Sequence, residues 1–127
     1  MKRRIWLVLA LVLAVPVGYV AVRLASSPGI VDTKTDKARY EVTMLSGLLE
    51  HYRKEQGRYP TTEEGLIALV RVGLIRKVPM DPWLHPYEYQ FPGSRNAGGF
   101  DVWTHGADGK PGGDAFEKDI GNWHNDA

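Results

Sequence analysis

The 127-residue sequence predicts an α+β domain in which one long helix lies on a small antiparallel sheet. Three observations lead there. Between Thr35 and Gln56 the apolar residues Ala38, Val42, Leu45, Leu49 and Tyr52, with Leu48 beside them, recur at three- and four-residue steps and so form one stripe on a helix. In "HPYEYQFPG" and "GGFDVWTHG" the apolar residues alternate instead: Tyr87, Tyr89 and Phe91 against Glu88 and Gln90, then Phe100 and Val102 against Asp101 and Trp103. That period belongs to half-buried strands. The tail "HGADGKPGGDAFEKDIGNW", residues 105–123, is rich in glycine and carboxylates and suits neither period.

The first element is apolar throughout. "IWLVLALVLAVPVGYVAV", residues 5–22, carries no charge and as a helix would span about 27 Å, enough to cross a bilayer core. Lys2, Arg3 and Arg4 precede it and only Arg23 follows closely, which places the N-terminus in the cytoplasm and residues 24–127 across the membrane. The competing reading is a cleaved signal peptide. A cut after Ala25 would leave Arg23 three positions before the break, and a cut after Ser27 would put Pro28 directly behind it, so both fit a small-x-small site poorly. The expected organisation is an anchor over 1–24, a linker over 25–34 marked by Pro28 and Gly29, and a domain over 35–127.

Within the domain, Thr35 or Asp32 can cap the long helix and Gly57 stands where a left-handed C-terminal cap is expected. "RYPTTEEGLIALVRVGLI" then signals a second helix: Pro60, a Thr61 or Thr62 cap, Glu63 or Glu64 in the first turn, apolar Leu66, Leu69 and Val70, and an end near Gly73. The two glutamates read as complements to the helix dipole rather than as a general acid and base. Pro92 to Gly99 connects the strands as a glycine-bearing hairpin loop longer than the two-residue ideal.

Several chemistries have no support. With no Cys there is no disulfide framework and no thiolate metal site. Beyond residue 31 the chain holds 12 Lys and Arg against 15 Asp and Glu, which argues against a nucleic-acid footprint. His51, His85, His105 and His124 have no zinc spacing, Ser26, Ser27, Ser46 and Ser94 lie in no nucleophile elbow, and no phosphate-binding glycine loop occurs. An enzyme is not expected.

The tail is where charge accumulates. Residues 101–126 hold Asp101, Asp108, Asp114, Glu117, Asp119 and Asp126 against Lys110 and Lys118, a net of −4. Calcium suits such a segment, because it takes six to eight oxygens from carboxylates and carbonyls in flexible geometry, whereas magnesium demands a strict octahedron. The spacing is not that of an EF-hand, since the third and fifth positions from Asp108 are Lys110 and Gly112. A solvated turn, in which Asp and Gly serve backbone geometry alone, accounts for the composition as well. The residues by themselves leave both readings open.

In this order, "GRYPTTEEGLIAL", "DPWLHPYEYQFPG" and "FDVWTHGADGKPGGDAFEKDIGNW" resemble the globular body of the major pseudopilins, the protein G type, of bacterial type II secretion systems, over residues 35–123. The resemblance implies a type IV pilin-like fold, with a long N-terminal helix packed on the sheet and calcium, Ca2+, bound in the C-terminal loop. It implies a single-pass inner-membrane subunit with its domain in the periplasm. The partners would be other pseudopilin subunits and inner-membrane secretion components, in a homo-oligomer or filament that supports protein export. Carried over by position, Asp108 of "ADG" and Asp119 of "DIGNW" are the side-chain ligands, and His105 and Lys110 supply backbone carbonyls, with another near Phe116. Lys118 stands where some members have an acidic residue, so Asp114 or Glu117 would take its place. The N-terminus departs from the pattern: there is no Gly-Phe processing site, and no Asp or Glu before Asp32. That departure motivates the alternative of a solitary membrane-anchored, calcium-binding periplasmic interaction module that does not polymerise.

Overall fold

A computed structural model describes residues 33–114 and 117–123. The anchor expected over 1–24 lies outside them, as does the linker expected over 25–34 except for its last two residues. Helix α1 covers Thr33–Gln56. Thr33 and Lys34 are therefore helical, and Thr35, one of the two residues expected to cap the helix, sits inside it. No helix among the described residues is long and apolar enough to cross a membrane.

The expected stripe is the buried one. Ala38, Val42, Leu45, Leu49 and Tyr52 are the buried residues of α1, and Leu48 packs beside them. Fully burying a leucine such as Leu45 or Leu49 contributes roughly 2–3 kcal/mol. The helix stops at Gly57, whose φ is +77° and whose N–H reaches Arg53 O at 2.8 Å, a left-handed cap that closes the last turn.

Beyond the cap the sequence signals are used differently from expectation. Thr61 Oγ1 accepts the Glu64 N–H and Glu64 Oε2 accepts the Thr61 N–H, at 3.2 and 2.8 Å, a reciprocal capping box. The helix it announces does not continue, because Gly65 turns to a φ of +58°. Only the five residues Ile67–Arg71 form helix α2. Glu64 has a more specific task than complementing a dipole: it takes a two-pronged ion pair from Arg58 at 2.7 and 2.8 Å. The Arg58 hydrogen bonds, with the Thr61 N–H, pull its carboxyl down to about 2.

Three antiparallel strands follow in the order β1, β2, β3: Glu88–Gln90, Asp101–Thr104 and Ile120–Gly121. Tyr89 pairs with Val102 across β1 and β2, and Thr104 with Ile120 across β2 and β3. The third strand corrects the expectation that the tail holds no regular structure. It is short because Asn122 finishes the ladder with its side chain. The Asn122 Oδ1 accepts the Val102 N–H at 3.0 Å while its Nδ2 donates to Phe100 O at 3.0 Å.

Helix and sheet meet over one core. Val42, Leu45, Leu49 and Tyr52 join Leu66 and Leu69 below, and Tyr87, Tyr89, Phe100 and Val102 from the strands. Two tyrosines that face the core keep their hydroxyls satisfied, Tyr87 on Glu41 and Tyr89 on Pro60 O, and burial pushes both phenols well above the ordinary range. Among the described residues no buried side-chain polar atom lacks a partner.

Candidate functional site

The terminal loop leaves β2 at Thr104 and returns to the sheet at Ile120. Its two limbs are tied where the Asp119 N–H meets Gly112 O at 3.2 Å. Gly112 and Gly113 both hold positive φ, and a Cβ on Gly113 would collide with the Glu117 carbonyl, so the loop folds back on itself only because no side chain stands there.

Each residue expected to bind a cation has a definite place. Asp119 is partly buried at the foot of β3, and its Oδ1 accepts from the His105 ring, whose Nδ1 lies 3.0 Å away. His105 was expected to offer only its carbonyl; its ring additionally holds Asp119. Asp108 is exposed and its Oδ1 accepts the Lys110 N–H at 3.0 Å, an Asx turn that fixes Lys110 on the far side of the bend. Asp114 is exposed, and its carbonyl oxygen accepts the Glu117 N–H at 3.0 Å. Lys118 stays exposed, while the expected carbonyl near Phe116 lies outside the described residues.

The arrangement does not form a cage of side chains. Among the described residues no group of three His, Asp or Glu side chains is placed to hold a metal. Of the residues expected as side-chain ligands, Asp108 and Asp119 each use Oδ1 in the bonds above. Oxygen donors without thiolates or a ligating histidine cluster suit a hard cation such as calcium and not zinc.

The burial of two other aspartates escaped the sequence reading. Asp101, expected on the polar face of its strand, is buried. Its carboxylate accepts the Arg95 and Asn96 N–H groups at 2.8 and 2.9 Å and the Ser94 hydroxyl at 3.2 Å, all from the hairpin loop. Burial alone would raise its pKa, yet these donors outweigh it and hold the carboxyl below the ordinary value. Asp81, in "DPWLHP", is buried as well and accepts from the Thr104 hydroxyl at the root of the terminal loop. The readable signal was the Asp-Pro dipeptide, which starts turns; the partner across the sheet had none.

A cleft of about 740 Å³ runs beside this loop, between α1 and β3, lined by Arg39, Val42, Glu50, Lys118, Ile120 and Trp123 among others. Trp123 is part of its lining, with the Arg95 guanidinium 4.3 Å from its ring centre and the Trp103 ring at 5.9 Å.

Comparison with known proteins adds a family. Residues 28–123 match the model of the type II secretion system protein G family. The chain is 33% identical to the type II secretion system core protein G of Pseudomonas aeruginosa over 94% of its own length and 90% of that protein's. It is 39% identical to the Vibrio cholerae protein of the same description, over 69% of this chain and 67% of that one. The crystal structure of the major pseudopilin from the type 2 secretion system of enterohaemorrhagic Escherichia coli superposes with a TM-score of 0.64 at 33% identity, covering 76% of this chain and 96% of that chain.

Proposed function

This chain belongs to the type II secretion system protein G family, and on that premise we propose that it is a structural subunit of a pseudopilus that supports protein export. The observation that carries the reading is the match in sequence and fold together: the E. coli pseudopilin is covered almost end to end. Its function would be mechanical, with no bond made or broken. The assembly would use a face of α1, which carries an uncovered pair at helical spacing, Tyr40 and Met44, on a side that its own core does not use.

Two finer points are added, an anchor from the apolar N-terminal segment and a calcium site from the family resemblance. The uncharged segment over 5–22 would anchor the subunit in the inner membrane, with the domain in the periplasm. Calcium would be held in the terminal loop by Asp108 and Asp119 and by carbonyls that include those of His105 and Lys110, with Asp114 or Glu117 substituting for the absent acid at Lys118. What the cation supplies is charge neutralisation for a loop whose carboxylates outnumber its cations.

In-cell crosslinking through α1, followed by purification of the filaments, tests the assembly. Recovery of this chain joined to copies of itself or to other secretion subunits is the expected result. A chain crosslinked to no secretion component and absent from the filaments would instead support the solitary calcium-binding module.

A further inference from the structure

Resting on the calcium reading above, we propose that Asp81, Thr104 and His85 form a brace that fixes Gly106 before any cation arrives, which makes them positioning residues for the terminal loop.

The brace is a chain of bonds with one consistent placement of protons. Asp81 Oδ1 accepts the N–H groups of Trp83 and His85 at 2.9 and 2.8 Å, and its Oδ2 accepts the Thr104 hydroxyl. Because that hydroxyl proton points at Asp81, the Thr104 oxygen is left as an acceptor, and the Gly106 N–H donates to it at 3.1 Å. On the other side of the same residue the Gly106 oxygen takes two donors, the Gly109 N–H at 3.3 Å and His85 Nδ1 at 3.2 Å. A carbonyl can only accept, so His85 carries its proton on Nδ1. The N–H and C=O of Gly106 are thus both spoken for, at a φ of +76°.

Steric contact reinforces the bonds. A Cβ on Gly109 would fall 3.0 Å from the His85 ring, which shows how closely that ring lies against the bend. Asp81 and Thr104 are buried, whereas Asp108 between the two glycines is exposed. The partner residues sit in a different part of the sequence, 23 positions apart for Asp81 and Thr104. The loop's first limb, which carries His105, Asp108 and Lys110, is therefore held from outside itself. A cation arriving there would not need to order this limb, and the residues behind it would set its affinity, as groups that orient metal ligands commonly do.

The test reads loop order and cation affinity separately, on the full chain. Amide exchange over residues 104–110 is followed in chelator, and calcium chloride is titrated by calorimetry. In the parent chain the Gly106 amide is expected to exchange slowly with no calcium present. Thr104→Val should expose that amide and raise the calcium Kd about tenfold, while Thr104→Ser, which keeps the hydroxyl, should retain both parent values. Should Thr104→Val fail to fold, His85→Ala on the partly exposed ring serves in its place, with His85→Asn as the variant that keeps a donor near Nδ1. Unchanged exchange and a Kd within about twofold in either deletion variant would overturn the brace. A protected Gly106 in a chain that takes up no calcium would overturn the positioning role and the calcium reading together, while a calcium Kd indifferent to these substitutions would leave the calcium reading standing alone.

Discussion

Two glycine-rich loops of this molecule are each organised around aspartates, and they handle negative charge in opposite ways. The hairpin loop between β1 and β2 surrounds one buried carboxylate, Asp101, with donors of its own: Arg95 N–H, Asn96 N–H, the Asn96 amide and the Ser94 hydroxyl. The terminal loop leaves Asp108 and Asp114 exposed and gives Asp119 one ring nitrogen. A carboxylate wrapped in N–H groups is neutralised by dipoles and needs no counter-ion. Carboxylates with few such donors leave their charge for solvent or a cation to offset. The difference explains why a cation is expected in one loop and would be superfluous in the other.

The sharpest way to break this contrast is Asp101→Ala. It leaves several part-buried donors without their acceptor, at up to roughly 1–3 kcal/mol each when unsatisfied, so a loss of about 3 kcal/mol in urea unfolding is expected. The loss should be the same in calcium and in chelator. A calcium-dependent loss would mean that the two loops are not independent.

Next in size is Asp108→Ala, which should remove the calcium-dependent part of stability, about 2.7 kcal/mol at a hundredfold excess over Kd. Its unfolding curve in chelator should match that of the parent chain. Asp119→Ala should abolish the same increment and also lower the chelated curve, because the His105 ring loses its partner. If Asp108→Ala leaves the calcium increment intact, Asp108 is not a ligand.

A smaller effect tests the turn around Asp81. Leu84 has a φ of +68° and is 77% exposed, so its side chain gains little for a strained backbone. Leu84→Gly should stabilise by about 0.5–1 kcal/mol in the same unfolding assay. A destabilisation would show that the exposed leucine packs on something in solution.

The mildest effect is that of acid. The Asp101 carboxyl is held below its ordinary value, so its contribution is complete above the unfolded value of about 4 and declines as pH falls through the folded one. Glu64 behaves alike, losing its contribution between its ordinary 4.5 and about 2. In chelator, stability should fall with pH across this window, and Glu64→Gln should flatten part of the slope. A slope that Glu64→Gln leaves unaltered would contradict the assigned Arg58 pair.

What the sequence disclosed depends on whether the partner lay nearby. The α1 stripe and the Tyr87–Tyr89 alternation are periodic, so Ala38, Val42, Leu45, Leu49 and both tyrosines could be placed in the core from spacing alone. The Thr61–Glu64 box was equally local, yet the left-handed Gly65 that halts the helix carries the same letter as a tolerated helical glycine. Burial of Asp101 was illegible because its donors come from a loop whose backbone positions no pattern encodes. The Asn122 side chain replaces a strand residue, so β3 is too short to alternate. At the candidate site, Asp108 and Asp119 came from the resemblance, whereas the His105 ring on Asp119 and the Asp81 turn behind Thr104 depend on contacts across the sheet.

One measurement bears most directly on the claim that the terminal loop, unlike the hairpin loop, is completed by a cation: thermal melting of the full chain in excess calcium and in chelator. The midpoint in chelator is expected to fall by roughly 10 °C for a domain of this size, with Asp101→Ala shifting both curves equally and Asp108→Ala bringing them together. Superimposed curves for the parent chain would contradict it, and the terminal loop would then be a solvated turn.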